Sequence, residues 1–184
     1  MKTGLVIFAF GSPGDIESNS MLKAIARDLL EQNPDISRVY TQLALGLTGD
    51  DLRGSLNFAK RHKGFNGRRL ALSIMRQSSI DNHPPTLRIA DWAVRQALNN
   101  NLDRLLVLAA GPHLPRCWRD VKYAAKKLGS QINITGVEEV KEVPAEMWYS
   151  IISEQPRTRS PFQWWSREWI LLAMPMCLYA KVAG

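Results

Sequence analysis

A chain of 184 residues, 45% hydrophobic and 22% charged, is the right size for one domain with a substantial buried core. That apolar fraction excludes intrinsic disorder, which pairs low hydrophobicity with high net charge. The longest apolar run, Trp169–Ala180, has 12 residues around Pro175, too few for the ~20 of a membrane span.

Met1-Lys2 and the run Leu5–Phe10 resemble the start of a secretory signal, but six apolar residues running into Gly11-Ser12-Pro13-Gly14-Asp15 read better as a strand and a turn. A cytoplasmic protein is the expectation. Helix one follows, with Ser18 or Ser20 as N-cap and Met21, Leu22, Ile25, Leu29 and Leu30 on one side, ending before Pro34. A second strand, Arg38–Leu45, leads through Thr48-Gly49-Asp50 to a helix carrying Leu52, Leu56 and Ala59 that stops near Gly64. A third strand, Arg69–Met75, precedes the polar Gln77–Asn82, and Pro84-Pro85 opens a helix with Leu87, Ala90, Val94 and Leu98 inward.

The fourth strand, Arg104–Ala110, is the clearest, an apolar run between Asp103 and Gly111-Pro112. Its helix runs from about Pro115 to Leu128, with Cys117, Val121, Ala124 and Leu128 inward and Gly129 at the C′ position. A short fifth strand, Ile132–Val137, completes an alternation that predicts a three-layer, Rossmann-like α/β fold with a mainly parallel five-stranded sheet. Residues 1–184 are expected to form one α/β domain, with the alternating core over 1–137 and a helical extension over 138–184.

In that extension Pro144–Gln155 reads as a helix presenting Met147, Trp148, Ile151 and Ile152. Ser160-Pro161 then caps a last helix with Phe162, Trp165, Trp169, Leu172 and Met176 in one stripe, which Pro175 should kink or end. Four of the six tryptophans lie here. A core-capping helix is the plain reading; the sharper ones are a homodimer interface or a peripheral contact with a membrane surface.

The net charge of +7 invites a nucleic-acid reading, but the halves 1–92 and 93–184 carry 12 basic against 9 acidic and 12 against 8 side chains, so the excess is even. One acid-free stretch, Arg53–Arg76, holds seven Lys/Arg with only Phe58 and Phe65 interleaved for base stacking, and a solvated face is preferred. Cys117 and Cys177 fall in apolar patterns and are expected as buried free thiols of a reducing compartment. His62, His83 and His113 are scattered without acids at ligand spacing, so no metal site is expected.

In an open parallel sheet, ligands bind beyond the carboxyl ends of the strands at a topological switch point. That rule nominates the loops Gly11–Asp15, Gln42–Thr48, Gln77–Pro84 and Gly111–Arg116. The last is richest: His113-Leu114-Pro115-Arg116 sits where a strand hands over to a helix, whose N-terminus favours anions. Arg116 adds a planar cationic fork and His113 a group that moves a proton near neutral pH. Gly11 and Ser12 could offer backbone and hydroxyl donors. Glu168, among Trp164, Trp165 and Trp169, is either solvent-facing or a site acid. The reading is a small-molecule-binding enzyme acting on an anionic, nucleotide-like or phosphorylated ligand, with His113 and Glu168 supplying acid–base capacity and Gly11, Ser12, Gln42 and Arg116 binding; the alternative is a non-catalytic binding or scaffold module that uses the Trp-rich C-terminal helix.

These segments resemble the YdcF-like family, a domain of unknown function shared with SanA and ElyC. The likeness rests on Gly11-Ser12-Pro13 after the first strand, Tyr40-Thr41-Gln42 ending the second, His113-Leu114-Pro115-Arg116, and Arg167-Glu168-Trp169 in the last helix. The chain departs from the family at Ala109-Ala110-Gly111, where the family has a Ser/Thr, and at Arg167, where it has a His. The family's Asn-Thr-x-Glu-Asn segment survives only loosely over Ser78–Thr86, and the membrane anchor of some members is missing. The resemblance implies a divergent, soluble member with a Rossmann-like sheet and a ligand cleft. It implies S-adenosylmethionine as a candidate ligand, and adds weight to His113, Arg116 and Glu168 and some to Gly11, Ser12 and Gln42.

Overall fold

The computed structural model describes residues 1–48, 70–75 and 85–183. The helix expected after Asp50, all seven Lys/Arg of the basic stretch Arg53–Arg76, the segment Gln77–Asn82, and His62 and His83 lie outside the described residues. Five strands, β1 (Thr3–Ile7), β2 (Ile36–Gln42), β3 (Ala71–Met75), β4 (Arg104–Leu108) and β5 (Asn133–Gly136), form one sheet of order β3-β2-β1-β4-β5. Every pairing is parallel. The helices are α1 (Glu17–Gln32), α2 (Thr86–Asn99), α3 (Leu114–Lys127), α4 (Pro161–Ala173) and α5 (Met176–Ala183). This is a three-layer, Rossmann-like α/β fold. Right-handed crossovers put α1 on one face of the sheet and the mutually packed α2 and α3 on the other.

The continuous apolar runs have a direct cause. β1 and β4 are central strands covered on both faces, and Leu5, Val6, Ile7, Leu105, Val107 and Leu108 are fully buried. β3 and β5 are edge strands and half-exposed. The apolar runs overshoot the ladders: Phe8, Phe10, Ala109 and Ala110 stay buried after the strands end, because the C-terminal segments cover the sheet's carboxyl edge. Gly129 takes φ +65° just beyond α3, as a C′ glycine should.

Four expectations change. α1 starts one residue after Ile16, with no side-chain cap. Ser18 and Ser20 instead donate their hydroxyls back to the carbonyls of Phe10 and Asp15. The segment after Pro144 is not an α-helix; a 3-10 turn, Ala145–Trp148, buries Trp148 and leaves Ile151 and Ile152 in solvent. The last helix divides at Pro175 into α4 and α5, capped as expected by Ser160, whose Oγ accepts from the Gln163 amide. Of the aromatic stripe of α4, Phe162 and Trp169 point outward while Trp165 packs half-buried against the core, and Trp164, Glu168 and Leu171 point in. Finally, Cys117 is buried but Cys177 is exposed.

α3 explains the inverted α4. Arg116, Arg119 and Asp120 lie three and four residues apart on α3, on one face. Arg116 Nε donates to Glu168 Oε1 at 2.7 Å. Arg119 Nη1 donates to the carbonyls of Leu171 and Leu172 at 2.7 and 3.2 Å, satisfying acceptors left free in the last turn of α4. Asp120 Oδ2 accepts from the Tyr179 hydroxyl of α5 at 2.6 Å, and the Arg119 guanidinium lies 4.3 Å from the Tyr179 ring centroid.

Candidate functional site

Strand order 3-2-1-4-5 puts the switch point between β1 and β4, because connections leave their carboxyl ends toward opposite sides of the sheet. Two loops meet there. The β1–α1 loop is held by Asn19, which is fully buried: Oδ1 accepts from the Phe10 amide at 2.9 Å, and Nδ2 donates to the carbonyls of Gly11 and Pro13 at 3.3 and 3.2 Å. The β4–α3 loop is short, and the amides of His113 and Leu114 both donate to the Ala110 carbonyl at 2.8 Å.

His113 sits at this junction, 6% exposed. The rings of Phe8, Phe10 and Trp164 surround it at centroid distances of 6.4, 6.1 and 5.1 Å. Trp164 is fixed by its indole N–H, which donates to the Pro112 carbonyl at 3.3 Å. Nδ1 of His113 is buried with no hydrogen-bond partner among the described residues, an uncommon state for an interior polar atom. Burial, then the charges of Arg116 and Arg157, hold its pKa well below the ordinary value. These surroundings favour the neutral imidazole, which can accept a hydrogen bond.

A polar cavity of about 30 Å3 opens beside it, lined by Phe8, Ala9, Gln42, Thr86, Ile89, His113, Gln155 and Arg157. That is space for about two or three water-sized atoms, the scale of the oxygens of one carboxylate or phosphate. Arg157 is the cation of this lining. It lies half-buried in the 3-10 turn Pro156–Thr158 and makes no hydrogen bond or salt bridge among the described residues. Burial, then Arg116 and Arg167, work against its charge, and Glu168 supports it.

Six residues were expected at the site from the sequence. Gln42 and His113 line the cavity together. Arg116 and Glu168 stand behind it as an ion pair, their side chains 5% and 3% exposed; Arg116 Nη1 also donates to Thr86 Oγ1 at 3.1 Å. Burial pushes the Glu168 carboxyl up, and Arg116 pulls it only partly back. Burial likewise opposes the Arg116 charge, but Glu168 holds that guanidinium above its ordinary value. Gly11 and Ser12 bind the C-terminal loop: Ser12 Oγ donates to Glu154 Oε2 at 2.8 Å, and the Ser12 carbonyl accepts from the Glu154 amide at 2.7 Å. Gly11 has φ +91°, and a Cβ there would lie 2.8 Å from Ser153 Oγ and 2.9 Å from Thr158 Oγ1. The loop that Gly11 and Ser12 fasten is the one that delivers Gln155 and Arg157.

Arg157, Gln155 and Asn19 were missed. Only the Pro156-Arg157-Thr158-Arg159 composition hinted at the first, and nothing local says that this loop lies over the switch point. Comparison with family models, with curated proteins and with solved structures returns no match for this chain.

Proposed function

We propose that this protein binds a small anionic ligand, phosphorylated or nucleotide-like, whose negative group enters the cavity beside His113. The observation that carries this reading is the coincidence, at the switch point, of a buried imidazole nitrogen and a half-buried guanidinium, neither with a hydrogen-bond partner among the described residues. Arg157 takes the anion, and the Gln42 and Gln155 amides orient it. The neutral His113 offers its imidazole nitrogen as a hydrogen-bond acceptor to a protonated oxygen of the ligand or to a water beside it, while burial and the nearby guanidiniums oppose its taking the proton outright. Arg116 and Glu168 neutralise each other and brace the wall on which His113 is mounted. The body of the ligand lies outside the cavity, which has room for one small charged group.

The YdcF-like resemblance supports a cleft at this place. The two segments that carry it most strongly, His113–Arg116 and Arg167–Trp169, meet through the Arg116–Glu168 pair. Membership in that family is part of the proposal, and with it comes S-adenosylmethionine, whose carboxylate is a second source of the same negative charge. A thermal-shift series with inorganic phosphate, adenosine 5′-monophosphate and S-adenosylmethionine separates the sources. A probe selective for the native state raises stability by about 2.7 kcal/mol at a hundredfold excess over Kd. Stabilisation that is lost in Arg157→Gln is expected; no shift with any probe, or an equal shift in the variant, overturns the reading.

A further inference from the structure

A groove of about 430 Å3 runs between α1 and the segment that follows β5, a volume within the range of small-molecule sites. Two patterns in the sequence build it. On α1, Met21, Ile25, Asp28 and Leu29 lie three and four residues apart and share one stripe. Leu22, Ala26 and Leu30 beside them are buried in the core, and Met21 and Ile25, at the margin of that face, stay half-buried. On the other wall, Val140 and Trp148 are buried and pin the segment to the body, which brings Val143 and Met147 into the same groove. The floor is therefore apolar and carries two thioethers, side chains that adapt to an aromatic ring.

The charge here is opposite to that of the protein. The chain carries +7, yet the ionisable side chains of the lining are Asp28, Glu139 and Glu142, all exposed carboxylates. None of the three has an ion pair or a side-chain hydrogen bond among the described residues. The cations of the same two elements are turned or held elsewhere. Lys23 and Arg27 fall on the opposite side of α1 at the helical period, with Lys23 Nζ beside Gly46, and Lys141 is paired with Glu138. An apolar floor rimmed by free carboxylates selects a ligand that is apolar at one end and cationic at the other.

We infer that this groove binds a small organic amine, its apolar body laid on Met21, Ile25 and Met147 and its ammonium facing Asp28, Glu139 and Glu142. The groove shares no lining residue with the cavity beside His113, so the inference stands apart from the anion-binding reading.

Tryptamine, tryptophol and indoleacetate, which carry an ammonium, a hydroxyl and a carboxylate on the same ring system, test it. Each is titrated into the full chain labelled at its six methionine methyls and followed by nuclear magnetic resonance. Tryptamine should move the Met21 and Met147 signals saturably, with a Kd about fivefold or more below that of tryptophol, and added salt should shrink the difference. The variant Asp28→Asn/Glu139→Gln/Glu142→Gln, altered only at exposed positions and checked for folding by circular dichroism, should bind tryptamine and tryptophol alike. No movement of Met21 and Met147 with tryptamine, tryptophol or indoleacetate bound as tightly as tryptamine, or an unchanged preference for tryptamine in the folded variant overturns the inference. Movement of the same two signals when the protein alone is diluted also overturns it, since the groove would then be filled by a second copy.

Discussion

Replacing Glu168 by Leu strips Arg116 of its counter-ion in a place water barely reaches. The magnitude follows from burial. Two unit charges about 4 Å apart attract by about 1 kcal/mol in bulk water and about 4 kcal/mol at the effective dielectric of a protein site, and side-chain exposures of 5% and 3% put this pair in the second regime. Removing one partner of such a pair costs about 3–5 kcal/mol, much of it the penalty of a buried charge left alone. Arg116 would keep its bond to Thr86 and its place 5.5 Å from the Trp164 ring centroid, neither of which carries a negative charge. For a chain of this length the loss corresponds to a Tm lower by about 6–20 °C. The double variant Arg116→Met/Glu168→Leu, which leaves no stranded charge, should return to within about 2 kcal/mol of the starting protein. Urea unfolding followed by far-ultraviolet circular dichroism and tryptophan fluorescence measures all three chains. A Glu168→Leu variant within about 1 kcal/mol of the unaltered protein refutes the reasoning, as does a double variant no more stable than the single one.

Two further outcomes follow from the same geometry. Asn19→Ala leaves the Phe10 amide and the Gly11 and Pro13 carbonyls without their partner and should cost about 1–3 kcal/mol, whereas Ser20→Ala, at an exposed position, should stay within about 0.5 kcal/mol; equal urea midpoints for the two variants would contradict this. His113 is held neutral in the native state by burial, so below about pH 6.5 the unfolded chain takes up a proton that the folded one does not. Its share of stability is present above that pH and falls by about 1.4 kcal/mol per unit as pH drops toward the lowered native value. Unfolding at about pH 7 and about pH 5 should therefore show the unaltered protein losing stability relative to His113→Gln, and a pH-independent gap between them would remove the assignment.

The strands were legible because the order of the sheet buries β1 and β4 on both faces, and a strand buried on both faces writes itself as an unbroken apolar run. Their carboxyl ends were less legible: Phe8 to Phe10 read as strand because they are buried, but the C-terminal loop buries them, not the ladder. In Pro144–Gln155, Met147, Trp148, Ile151 and Ile152 are spaced like one face of a helix. Ser153 instead bonds Ser12, 141 residues away, and Thr158, and the chain turns to reach them. The α4 stripe was read correctly as a stripe, but its direction depends on Glu168 finding Arg116, 52 residues earlier. No local pattern reveals that an acid is the inward residue. The same holds for Arg157, which acquires meaning only once strand order brings residues 155–157 over the switch point. Gln42 and His113, by contrast, needed only the rule that ligands sit at the carboxyl edge.

The central claim, an anion held by Arg157 beside His113, is tested most directly by calorimetric titration of adenosine 5′-monophosphate into the unaltered protein and into Arg157→Gln. A charge-assisted hydrogen-bonding contact contributes about 1.5–3 kcal/mol. The account predicts measurable binding to the unaltered chain, weakened about 10- to 150-fold in the folded variant. Equal Kd values for the two chains, or no heat with either, would contradict it.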